Sequence, residues 1–276
     1  MDESTSRKLL GEFLRLRRAR LSPDDVGLVS HGRRRTRGLR REEVAQLAHI
    51  GTSWYTSLEQ GRNVNPSEDV LNHIATALQL NADERQHLLL LARPADQERV
   101  DPQPLPVGLE RMIAALEPHP AFIMDRYWDL QLWNQAAAFV FHLPPFSDCL
   151  EEGRINWMRH LLSGARVWLE TEDWEDGMQV MIAQFRADYA HFPNDARFSA
   201  LIEEFSQNSP LFCELWPLHN VQIVTDRHKQ RFDPRIGEME FEHVALQPLG
   251  NPDHKIMLFS ASKETAARLE RALNAD

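Results

Sequence analysis

The chain has 276 residues, 42% hydrophobic and 26% charged, with a formal net charge of −10. No apolar run approaches the roughly 18–20 residues of a membrane span, which excludes an integral helical membrane protein. The polar start "MDESTSRKLL" does not read as a signal peptide. Cys149 and Cys213 are too few for a disulfide framework, so a cytoplasmic protein with reduced thiols is expected.

The charge is unevenly spread. Arg7 to Arg41 carries 12 basic and 3 acidic side chains, whereas residues 94–276 carry 16 basic and 29 acidic ones. Salt screens charges beyond about 8–10 Å, so such a local cluster attracts phosphate even on an anionic protein.

Taken in chain order, the first 93 residues read as helices. Leu9, Phe13, Leu14 and Leu16 form an apolar stripe on the first. "LRREEVAQLA" places Leu39, Val44, Leu47 and Ala48 on one face of a second, and "TSWYTSLEQ" is a third. "PSEDVLNHIATALQL" follows, with acids in its first turn and Val70, Leu71, Ile74, Ala75 and Leu78 at helical spacing. "NADERQHLLLLAR" repeats that plan with Asn81 as cap. An all-α bundle of five helices is expected over residues 1–93. The proline-rich stretch after Arg93 predicts a linker over 94–106.

Beyond the linker the period changes. "AFIMDRYWDLQLWN" predicts two short strands meeting near Asp125–Arg126, with Trp128 in the second. "QAAAFVF" is helical, as is Asn156 to Leu218, where Trp174, Met178, Met181 and Phe185 share a face. "HNVQIVTD", "KQRFD", "GEMEFEHVALQPL" and "KIMLFSAS" predict strands, and "KETAARLERAL" a closing helix. In "GEMEFEHV" Glu238, Glu240 and Glu242 alternate with Met239, Phe241 and His243, the pattern of a half-solvated strand. The second domain, residues 107–276, is therefore α+β with one antiparallel sheet.

The segment from Leu39 to Arg62 has the make-up of two short helices around a tight turn. Ala45 is small enough for a crossing helix. Tyr55 and Leu58 face inward, and Gly61 ends the second helix. Thr52, Ser53 and Ser57 then face outward with hydroxyls able to bond bases or phosphates, and Arg40 and Arg41 open the preceding helix. "LRREEVAQLAHIGTSWYTSLEQGR" resembles the helix-turn-helix of XRE-type bacterial regulators, in particular their MmyB-like branch. The resemblance implies a double-stranded DNA operator as partner. Its DNA-facing candidates are Arg40, Arg41, Thr52, Ser53, Trp54, Ser57 and Arg62, with Arg33, Arg34, Arg35 and Arg37 as a phosphate clamp or minor-groove arm. Two positions depart from the family pattern. His49 stands where a turn glycine is usual, at a cost of roughly 1 kcal/mol. Gly51 stands where a hydroxyl cap is usual.

Catalytic constellations are missing. There is no phosphate-binding glycine loop, no H-E-x-x-H and no G-x-S-x-G, and the spacing of Cys213, His219 and His228 matches no zinc pattern. Neither a catalytic site nor a metal is expected, and the protein is not expected to be an enzyme. All but one of the seven tryptophans lie beyond the linker. Aromatic and methionine side chains suit an adaptable apolar cavity and equally an ordinary core. "LEPHPAFIMDRYWDLQLWNQAAAFVF" and "HNVQIVTDRHKQRFDPRIGEMEFEHVAL" resemble the start and later portion of the MmyB-like ligand-binding domain. That resemblance implies a PAS-like fold around a small apolar ligand, such as a fatty-acid-like molecule, with no other cofactor. Trp133, Phe139, Trp157, Phe185, Phe212 and Trp216 are the pocket candidates, chosen to span the sheet and its covering helices. A homodimer is expected, because one helix-turn-helix makes few contacts. Two alternatives stand beside this reading: a domain that only dimerises or binds protein, and an enzyme acting on a small apolar substrate.

Overall fold

The computed structural model describes residues 3–28, 38–93, 105–146, 155–163, 174–222, 227–248, 251 and 253–275. In chain order the first elements are α1 (Glu3–Arg20), α2 (Arg41–Leu47), α3 (Thr52–Glu59), α4 (Glu68–Ala77), α5 (Ala82–Ala92) and α6 (Val107–Ala114). The hairpin β1 (Ala121–Asp125) and β2 (Leu130–Trp133) follows, then α7 (Gln135–Phe141), α8 (Trp157–Leu162), α9 (Trp174–Tyr189), α10 (Ala196–Asn208) and α11 (Pro210–Leu215). The chain continues through β3 (Arg227–Asp233), β4 (Gly237–Leu246) and β5 (His254–Ala261) to α12 (Lys263–Leu273).

Contacts divide the chain into two compact units. One joins Met1–Asp96 with Ile182–Ser206 and Cys213–Ile223; the other holds Gln97–Met181, Gln207–Phe212 and Val224–Asp276. The helices of the second sequence domain are thus shared out, and the division falls within α9.

The first unit contains the five expected helices. Their ends follow local chemistry. Ser67 caps α4 by accepting from the Val70 amide, and Asn81 and Glu84 cap α5 reciprocally. Leu71, Ile74, Ala75 and Leu78 of the predicted stripe are buried. On α1 the buried line is Leu10, Phe13, Leu14 and Arg17, while Leu9 and Leu16 are only half-buried. The stripe is rotated toward Arg17, whose guanidinium lies 3.0 Å from Glu84. Counting only apolar residues does not anticipate a buried ion pair. Ala190 and Val221 join this core from the later segments.

The second unit is built on an antiparallel sheet of order β2-β1-β5-β4-β3. One face carries Ala121 and Ile123, which pack with Leu132 and with Ile113 of α6. The other face carries Phe122, Phe241, His243 and Phe259, covered by Phe141 of α7 and Trp157 of α8. Phe122 sits 4.9 Å from Trp157, and Phe141 sits 4.9 Å from Phe259. Each such ring pair adds about 0.5–1.5 kcal/mol beyond burial alone. The alternation on β4 is as expected: Met239, Phe241 and His243 are buried and the three glutamates exposed.

Two expectations change. Trp128 is not in a strand but in the turn between β1 and β2, at φ 68° and fully buried. The Asp125 carboxylate accepts from the Tyr127 and Asp129 amides and folds the chain back early. Residues 219–222 of "HNVQIVTD" form no strand, and 223–226 lie outside the described residues. Helix α6 begins at Val107, directly after the stretch read as linker, with Pro106 at its N-cap at φ −60°.

Candidate functional site

The turn between α2 and α3 sets the geometry of the first unit's exposed face. His49 is left-handed at φ 56°. Its amide donates to the Gln46 carbonyl, and the Ile50 amide donates to Ala45 at 2.9 Å. Those two bonds are the standard left-handed helix ending, here with histidine in the glycine position. Gly51 caps α3 without a side-chain bond, as its sequence position implies. The other end of α3 repeats the pattern: Gly61 has φ 67°, and a Cβ there would lie 3.1 Å from the Arg7 carbonyl of α1. Helix α1 also crosses α3 at Gly11, where a Cβ would meet the Glu59 carbonyl at 2.5 Å. Only glycine permits that approach.

Held in this way, Thr52 and Ser53 are exposed at the start of α3, Ser57 is half-buried and Arg62 exposed. Tyr55 and Leu58 are buried beneath them. Trp54 is half-buried and packs against the core. Arg40 is exposed at the N-cap of α2, its amide satisfied by Glu43 at 2.7 Å. Arg33, Arg34, Arg35 and Arg37 lie outside the described residues.

Arg41 is more constrained than its sequence position implies. Its Nε donates to Glu59 Oε1 at 2.8 Å, while its side chain keeps 40% exposure. Glu59 is the centre of this cluster. Arg18 forks onto both of its oxygens at 2.7 and 2.8 Å, and the Glu59 side chain is only 1% exposed. Burial pushes the Glu59 carboxyl up, but the guanidinia of Arg18 and Arg41 outweigh it and hold the group below its ordinary range. Arg18 also donates to the Leu39 carbonyl at 2.6 Å, tying down the chain just before α2. Sequence reasoning missed Glu59 and Arg18. The available signal was a lone acid next to Leu58 on the inward side of a short amphipathic helix.

The six pocket candidates are divided between the two units. Phe185 and Trp216 belong to the first unit, with ring centroids 6.2 Å apart. The other four belong to the second. There Trp157 joins the aromatic face of the sheet, Phe212 is fully buried, and Trp133 packs on Phe146 at 5.1 Å. Phe139 lies under the Arg235 guanidinium at 3.7 Å. Arg235 also donates to Asp233 and to the Phe139 carbonyl, which fastens the β3–β4 turn to α7. A groove of about 420 Å³ opens beside that turn; Arg231, Met239, Thr265 and Arg268 line it with exposed glutamates, and none of the six candidates does. Arg231 connects the groove to the aromatic face: its guanidinium lies 5.3 Å from the Phe141 ring, and burial lowers its pKa to about 9. Among the described residues no helix is long and apolar enough to cross a membrane.

Two helices around a tight turn, the second offering hydroxyls to solvent beside arginines, define a helix-turn-helix DNA-binding module, here joined to a five-stranded second domain. Comparison with known families agrees. A model described as a helix-turn-helix domain matches residues 9–88, and one described as the MmyB-like transcription regulator ligand binding domain matches residues 105–273. The second match spans more than half of the chain, so the protein belongs to the MmyB-like transcription regulators. No curated protein matches it. It is a DNA-binding transcription regulator with a ligand-binding domain.

Proposed function

We propose that the protein reads a specific operator as a cytoplasmic homodimer and changes its DNA binding in response to a small apolar, fatty-acid-like molecule held by a PAS-like second domain, without catalysing a reaction. The observation that carries the DNA half is the exposure of Thr52 and Ser53 at the start of α3, with Arg40 exposed at the N-cap of α2 and Arg41 held by Glu59 at the end of α3. Two copies on half-sites about 34 Å apart would supply the contacts one copy lacks. The sensing half is supported by the ligand-binding family match and by the aromatic face between the sheet and α7–α8.

The roles of phosphate and base contacts separate experimentally. Arg40→Ala is expected to weaken binding to every duplex and to shallow the salt dependence by about one charge, because Arg40 is exposed at the N-cap of α2, where Glu43 holds its backbone amide. Ser53→Ala is expected to change which sequences are selected from a random pool while leaving the salt slope alone. Equal losses on all sequences from both variants would remove α3 as the reading helix.

For the ligand, native mass spectrometry of the purified chain is expected to show adducts in the mass range of small lipids, and myristic acid is expected to raise the melting temperature. A bare polypeptide mass with no shift from any apolar metabolite would favour a domain that only dimerises or binds protein. Turnover of the bound molecule would favour an enzyme.

A further inference from the structure

The first unit contains more than the helix-turn-helix match. Ile182–Ser206 and Cys213–Ile223 cluster with residues 1–96, although both stretches lie inside the region matched by the ligand-binding model. What fastens them is a short loop. After α11 the chain makes a single 3₁₀ turn over Trp216–Leu218 and reverses at His219, at φ 51°. That reversal turns three carbonyl oxygens toward two arginines. Arg186 of α9 donates to the carbonyls of Trp216 and Asn220 and stacks 3.8 Å over the Trp216 ring. Arg17 of α1 donates to the carbonyl of His219. The carbonyl end of a helical turn is where cations are favoured.

The contacts around the loop are buried. Arg17 and Arg186 are 2% and 3% exposed, and His87 of α5 is enclosed against Phe13, 5.1 Å away. Burial, helped by the neighbouring arginines, holds His87 at a pKa of about 3 and His219 at about 4, so both rings stay neutral around pH 7. The loop is therefore a fixed part of the unit across the neutral range.

Helix α1 links this loop to the DNA-facing side. Arg17 is held by the His219 carbonyl and by Glu84; the next residue, Arg18, holds Glu59 at the end of α3, and Glu59 holds Arg41. We infer that Arg186 and the Trp216–Asn220 loop are positioning residues for DNA binding: they set the seat of α1, and through the Arg18–Glu59–Arg41 cluster they set α3 and the arginine beside it. The inference rests on the DNA-reading role proposed above. It gives Ile182–Ser206 and Cys213–Ile223, which lie within the ligand-binding match, a physical handle on the reading helix, because a change in the Trp216–Asn220 loop acts directly on Arg17 of α1.

The test uses the full chain without added ligand. In Arg186→Met the loop loses its two side-chain donations. Hydrogen exchange is expected to quicken in residues 216–220, α1 and α3 while β1, β4 and β5 keep their protection. The affinity for a random-sequence 30-base-pair duplex, read by fluorescence anisotropy, is expected to fall about tenfold with an unchanged salt slope, since no phosphate contact is lost. Arg186→Lys, which keeps one donor, is expected to recover part of the loss. Faster exchange in 216–220 with α3 protection and duplex affinity both at wild-type values would overturn the inference. If Arg186→Met also loses protection in the sheet, Trp216→Leu removes the ring while leaving the carbonyl acceptors of the loop in place, and is judged by the same two readouts. A wild-type chain that binds no duplex at all would instead defeat the DNA-reading role, and the exchange data would still decide whether the loop seats α3.

Discussion

Glu59→Ala is expected to cost the DNA-binding unit about 3 kcal/mol, near the lower end for breaking a buried ion pair. Two guanidinia would lose a carboxylate that is 1% exposed, with Arg18 itself only 16% exposed. Arg41 is 40% exposed, so water replaces much of its share. For a unit of this size that corresponds to a melting temperature lower by about 10–20 °C. Duplex affinity is expected to fall further than stability alone explains, because Arg41 loses its fixed orientation. The interaction also has a defined pH dependence. The Glu59 carboxyl is held below its ordinary value of 4.5 in the folded state, so its contribution is complete above that value. It is lost as pH drops through the lowered folded value. Wild type should therefore lose stability steeply on acidification below about pH 4.5, and Glu59→Gln should start lower but fall less. Thermal melts of the three chains between pH 3 and 7 decide this; parallel curves would show that Glu59 is not the acid that matters.

The second large effect is expected at Asn134, where the cost falls on the sensing unit. Its Oδ1 accepts from the amides of Ala121 and Ala137, and its Nδ2 donates to the carbonyls of Ile113 and His119. One 6%-exposed amide thus joins α6, β1 and the first turn of α7. Asn134→Leu fills the same space, strands the Ala121 and Ala137 amides and takes a donor from the Ile113 and His119 carbonyls, an expected loss of about 3–5 kcal/mol. Asn134→Asp keeps both acceptances and loses both donations, so it should fall between leucine and wild type. Near-ultraviolet circular dichroism of the buried Trp128, Trp133 and Trp157 follows this unit, and duplex binding follows the other. A leucine variant with an intact near-ultraviolet signal and an unchanged denaturation midpoint would show that these bonds carry little.

Much of the fold was legible because it rests on short-range rules. The caps at Ser67 and Asn81, the alternation of β4, and the left-handed histidine at the α2–α3 turn all follow from residues within a few positions of one another. The exposed hydroxyls of α3 follow from the same helical period that buries Tyr55 and Leu58. What escaped depends on residues far apart in the chain. Arg17 looks like a surface charge until His219 and Glu84 arrive beside it, and Arg186 until the carbonyls of Trp216 and Asn220 do. Trp128 reads as a strand residue until Asp125 takes the two amides that bend the chain. Composition cannot tell which aromatic residues share a neighbourhood; contacts cluster Phe185 and Trp216 with the helices of the first unit and Trp157 with the sheet of the second. Helical periodicity likewise marks Ile182–Ser206 as helix without saying which core it joins; contacts cluster it with residues 1–96.

The strand order has a consequence for how the protein is made. The two hairpins, β1–β2 and β3–β4, are each local, but the seam between them is β5, the last strand of the sheet to leave the ribosome. Until residues 254–261 emerge, a nascent chain holds two ribbons with raw edges facing each other and nothing between them. A premature stop ahead of β5 therefore removes the keystone of the sheet rather than trimming its rim, and leaves a truncated product with the helix-turn-helix but no closed sensor.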